Sequence, residues 1–134
     1  MSSIFTKIIA GDIPCYKVAE DVHNIAFLDI RPLKKGHTLC VPKVEADELF
    51  ELSSDDYQRL MVFSQRVARA IKKAVPCKRI GSMVLGMEVP HAHVHLVPID
   101  AEHELSFANT PLSLSSEEMM SIAASISDVL DSAE

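Results

Sequence analysis

The chain of 134 residues contains no run long and apolar enough to span a bilayer. It opens without a basic segment followed by a hydrophobic one, so no secretory signal is expected. Cysteine is scarce and odd in number, and Cys15, Cys40 and Cys77 lie far apart. That pattern excludes a disulfide framework and points to free thiols in a reducing, cytoplasmic setting. Positive charge is also in deficit, with 13 Lys and Arg against 19 Asp and Glu, a formal net charge of −6. Nonspecific binding to nucleic acid or to an anionic membrane is therefore not expected. A nucleotide is not excluded, because it needs only a local pocket rich in donors. What the chain does have is apolar mass: 48% hydrophobic residues, enough for one core, so residues 1–134 are expected to form a single domain.

Three of the six histidines fall within Pro90–Pro98, as His91, His93 and His95 at i, i+2, i+4 spacing. Ala92, Val94, Leu96 and Val97 are the apolar residues between and after them. This is the period of a half-buried strand, and it sends all three imidazoles to one face. Neighbouring histidines would then stand roughly 6.6 Å apart along the strand. Three uses compete for such a face. It can be a solvent-facing strand that carries histidine by accident. It can bind zinc or copper, for which imidazole is a common ligand, although a closed zinc site normally wants four ligands. It can handle phosphate, since imidazole serves as nucleophile, general acid and hydrogen-bond donor.

The rest of the chain reads as alternating strands and packing helices. Ile4, Phe5, Ile8 and Ile9 recur at helical spacing before Gly11. Residues 15–20 and 24–29 predict two strands joined by a turn, residues 37–41 a third, and residues 79–85 a fourth. A long helix opens at Ser53 or Ser54, carries Leu60, Phe63, Val67, Ala70, Ile71 and Ala74 on one stripe, and stops before Pro76. Ser115 and Glu118 form a capping box for a last helix, whose stripe is Met119, Ile122, Ala123, Ile126, Val129 and Leu130. Residues 99–110 show no clear period and predict an irregular stretch near the mouth of the site or at a dimer contact.

His91-Ala92-His93-Val94-His95-Leu96-Val97 resembles the signature of the histidine triad (HIT) nucleotide hydrolases and transferases, nearest their Hint-like branch. The resemblance extends to residues 4–14, Phe27-Leu28-Asp29-Ile30, residues 36–43 and Gly86, in the family's order from Ser3 to Pro98. It implies an α+β fold with an antiparallel sheet of about five strands, and a homodimer with a sheet continuous across the subunits. It also implies hydrolysis of purine nucleotide conjugates, releasing AMP or another nucleoside monophosphate, without a cofactor. His93 would be the nucleophile at the α-phosphorus, His95 a donor to a phosphate oxygen, and His91 and His37 their supports. Asp29 would accept hydrogen bonds from ribose hydroxyls. Phe27 and Ile30 would touch base or sugar, and Ile4, Phe5 and Ile8 would wall the base pocket.

The chain departs from the family at two places. Many relatives carry Cys-x-x-Cys in the amino-terminal segment and use it to help bind zinc, whereas Ser3 and Thr6 stand here. Neutral hydroxyls are poor zinc ligands, so no structural metal is expected. Before the triad, Met87 and Glu88 replace a Gln and a Thr or Ser that would contact phosphate, and the family's asparagine on the preceding strand has only Ile80 or Ser82 near its place. A carboxylate beside phosphate is unfavourable unless protonated or turned away. Glu88 would either point outward, act as an acid near the leaving group, or meet a cationic amine there. Small phosphoramidates are the first expectation for substrate. The alternatives are a dinucleoside polyphosphate hydrolase and a slow or non-catalytic nucleotide-binding regulatory protein.

Overall fold

Five short strands bounded by turn residues give a single antiparallel sheet, its three central strands buried throughout and its two edge strands partly exposed. A computed structural model describes residues 3–133, so residues 1, 2 and 134 of the expected domain lie outside it. The strands are β1 (Lys17–Glu20), β2 (Asn24–Leu28), β3 (Thr38–Pro42), β4 (Arg79–Met83) and β5 (Val94–Ile99), in the spatial order β1-β2-β3-β5-β4. All neighbours pair antiparallel, with Leu39 opposite His95 and Ser82 opposite Leu96. Among the described residues three α-helices flank the sheet, α1 (Ile4–Ile9), α2 (Ser54–Ala74) and α3 (Ser116–Ala133), with short 3-10 turns at Leu49–Glu51 and Glu102–Glu104.

The two faces of the sheet are covered differently. On one face, Val18, Ala26, Leu28, Cys40, Val94 and Leu96 pack against the apolar stripes of α2 and α3, including Leu60, Phe63, Val67, Ile71, Met119 and Ile126. Ser53 accepts from Asp56 N–H at the start of α2, and Ser115 with Glu118 closes the box at the start of α3. On the other face, Ile25, Phe27, Leu39 and Val41 receive Phe5 from α1. A helix of six residues is too short to persist alone, so this contact and the Ser3 cap hold it. The histidines share that second face.

One strand boundary differs from expectation in a way that matters. The triad does not lie on one regular strand: β5 begins at Val94, and residues 90–93 are irregular. Ala92 N–H bonds to Ala46 C=O at 2.7 Å, a partner outside the sheet, so the ladder cannot extend back through the triad. Off the ladder, the ring of His91 reaches the Pro42 carbonyl and the ring of His93 the His91 carbonyl. The expected strands 15–20, 24–29, 37–41 and 79–85 also shift or shorten, to the bounds given above.

Candidate active site

The site is best followed by its protons, starting at His37. Gly36 (φ +97°) turns the chain into β3, and His37 is fully buried directly after it. Leu33 N–H donates to His37 Nδ1 at 3.0 Å. In the neutral ring the proton must then sit on Nε2. That nitrogen lies 3.0 Å from His95 Nδ1 and donates to it. The proton of His95 is thereby placed on Nε2, leaving that edge of the ring as a donor.

His93 is oriented by a carbonyl. Its Nδ1 lies 2.6 Å from the carbonyl oxygen of His91. A carbonyl only accepts, so Nδ1 carries the proton and Nε2 keeps its lone pair. A loaded donor on His95 thus stands beside an unprotonated nitrogen on His93, with ring centroids 4.8 Å apart. Both rings are only 6% exposed. Burial pushes the pKa of His93 down, against the raising effect of the His91 carbonyl, and lowers that of His37 despite the attraction of Asp29. Burial, with His93 and His37 as like-charged neighbours, takes His95 down to about 3. All three rings are therefore uncharged at neutral pH.

His91 is held at both nitrogens, by Pro42 C=O at 2.8 Å from Nε2 and by Ser3 Oγ at 3.1 Å from Nδ1. Phe5 stands edge-on to His93 at 4.9 Å and to His91 at 5.9 Å, and touches Phe27 at 5.6 Å. Asp29, at the end of β2, accepts from Arg31 N–H at 2.9 Å, and its Oδ2 lies 3.6 Å from His37 Nε2.

The structure gathers His37, His91, His93, His95, Asp29, Phe5 and Phe27 into one region. Phe5 and Phe27 are buried, Ile8 packs partly buried on the same cluster, and Ile4 and Ile30 are exposed. Met87 is 87% exposed, and Glu88 is exposed beside it in the loop between β4 and β5. The sequence places residues 99–110 near the mouth of the site without singling out Phe107, whose half-exposed ring lies 4.8 Å from His95 and 6.2 Å from His37. Sequence reading missed Glu45, which accepts from Thr6 Oγ1–H at 2.7 Å. Neither belongs to a local period, and both contacts span distant parts of the chain.

The family model described as HIT domain matches residues 10–102. Adenosine 5'-monophosphoramidase hnt1 of Schizosaccharomyces pombe is 35% identical over 129 residues, covering 95% of this chain and 97% of that protein. The chain belongs to the HIT family. Protein hit of Bacillus subtilis is 40% identical over 102 residues, 71% of this chain and 69% of that protein. Among solved structures, the Hit-like protein involved in cell-cycle regulation from Bartonella henselae superposes with a TM-score of 0.83 at 28% identity, covering 96% of each chain. A Zn-bound histidine triad family protein from Mycobacterium smegmatis does so at 0.81 and 29%, covering 100% of this chain and 99% of that one. The fold is the HIT fold.

The zinc of that neighbour asks whether this chain can hold one. At Ser3 and Thr6, the hydroxyls are engaged with each other, with His91 and with Glu45. His91 has no lone pair to spare, since Nε2 donates to Pro42 C=O and Nδ1 takes the Ser3 proton. This donor set does not fit zinc. A second cluster, Asp29, His37 and His95, has ligand atoms within 4.8 Å of one another. There His37 Nε2 carries a proton for as long as Leu33 N–H occupies Nδ1, so a metal would have to break that bond to bind.

Proposed function

We propose that this protein hydrolyses nucleoside monophosphate conjugates, with phosphoramidates of adenosine as the first substrate class, by a covalent nucleotidyl-histidine. The observation that carries the proposal is the 2.6 Å contact from His93 Nδ1 to its neighbour's carbonyl, which leaves the Nε2 lone pair available for attack. His93 Nε2 forms a bond to the α-phosphorus while the phosphorus–nitrogen bond to the leaving amine breaks and the amine takes up a proton from solvent. Water then attacks the same phosphorus and gives up a proton to solvent, the bond to Nε2 breaks, and the nucleoside monophosphate leaves. His95 Nε2–H donates to a phosphoryl oxygen as charge develops there. Asp29 accepts from the ribose hydroxyls. The names of two relatives, both adenosine 5'-monophosphoramidases of yeasts, support the substrate class.

The test is release of AMP from adenosine phosphoramidate with a chelator present. Wild type should turn over, and His93→Ala should lose about 10³-fold or more. Binding of AMP without release would instead support the non-catalytic reading. The subunits are proposed to pair through β4, an edge strand whose outer backbone groups no other strand of the sheet takes up, next to exposed Val84, Leu85 and Met87.

A further inference from the structure

We propose that Ser3, Thr6 and Glu45 form a hydroxyl cluster that positions the triad, with Ser3 donating to His91 Nδ1 and so completing the Nε2-protonated, neutral state that Pro42 C=O selects. Most bond directions follow from the partners, and Ser3 Oγ, which lies 3.3 Å from Thr6 Oγ1 and 3.1 Å from His91 Nδ1, gives its one proton to the shorter contact, where it meets a ring lone pair. The ionised carboxylate of Glu45 only accepts, so the Thr6 hydroxyl proton goes to Glu45 Oε1 at 2.7 Å. The Thr6 oxygen is then an acceptor, facing Ser3 N–H at 3.4 Å. Ser3 Oγ accepts from Thr6 N–H at 3.2 Å, which caps α1. Its own proton is left for His91 Nδ1 at 3.1 Å. His91 Nε2–H goes to Pro42 C=O at 2.8 Å, which leaves no second arrangement for a neutral ring.

The cluster closes on itself through the backbone. Glu45 holds Thr6, while its chain neighbour Ala46 accepts from Ala92 N–H at 2.7 Å, next to His91. The residues on either side of the His91 carbonyl are thus clamped, one by its ring and one by its amide. That carbonyl is the group that sets the tautomer of His93. Ser3 is therefore a positioning residue for the nucleophile, 88 positions away in the chain from the ring it serves.

The inference rests on reading His93 as the nucleophile, and its test has a readout that needs no turnover. Long-range proton–nitrogen NMR spectra of the imidazoles report which nitrogen is protonated. Wild type should show His91 protonated at Nε2 and His93 at Nδ1, each as one tautomer. Ser3→Asp still offers an acceptor to cap α1 but has no proton to give. It should break the pattern at His91, and kcat should fall about tenfold with KM little changed. Ser3→Thr, which keeps the hydroxyl, should recover most of the rate. Ser3→Asp with the wild-type tautomers, or with wild-type kcat, would overturn the positioning role and reduce Ser3 to a helix cap. Altered tautomers in a protein that releases no AMP would keep the positioning role and remove the proposed function.

Discussion

At the scale of single residues, the site depends on keeping imidazoles uncharged inside the fold. His95 shows the consequence for stability. In the unfolded chain it binds a proton near 6.5, and in the folded chain only near 3. Between those values the unfolded state holds the extra proton, so stability is complete above the window and is lost as pH falls through it. His95 alone should contribute up to about 1.4 kcal/mol per pH unit within the window, and His37 and His93 shift in the same direction. Urea unfolding at about pH 7.5 and about pH 5 measures this, and equal midpoints would contradict it. The lowered pKa of His93 has a kinetic counterpart. The acid limb of kcat/KM should lie below 6.5, the ordinary histidine value, because His93, the proposed nucleophile, stays unprotonated there.

At the scale of elements, the site is held by the places where regular structure stops. Gly36 has φ +97°, and a Cβ there would meet Val75 Cγ2 at 3.0 Å. Gly36→Ala should cost about 1–3 kcal/mol, read as a lower urea midpoint, and should slow turnover by displacing His37. These stops are also where sequence reading ran out. The caps at Ser53 and Ser115 and the stripes of α2 and α3 were legible, because capping and helical period are local signals. The triad strand was misread from His91 to His93 because alternation alone cannot show that Ala92 N–H leaves the sheet for Ala46. In the sequence Ser3 presents itself only as a poor metal ligand, and its bond to His91 has no local trace. The presence of His37, Asp29 and the triad in one region was legible through resemblance; the direction of their protons was not, since it depends on Leu33, Pro42 and the His91 carbonyl.

At the scale of the molecule, one sheet carries a sealed apolar face under α2 and α3 and a chemical face under α1, and its β4 edge is open. Pairing through that edge should give a particle of twice 14.8 kDa in light scattering, and Leu85→Glu beside the edge should return it to 14.8 kDa. A wild-type mass of one chain at micromolar concentration would remove the continuous-sheet dimer. The central claim, that His93 attacks phosphorus directly, is tested most directly by stopping a single turnover of adenosine phosphoramidate in base and mapping the adduct by mass spectrometry. The account predicts an adenylyl group on His93 that forms and decays at rates compatible with turnover, and none in His93→Ala. AMP released with no adduct on any residue at any time, or an adduct on a residue other than His93, would contradict it.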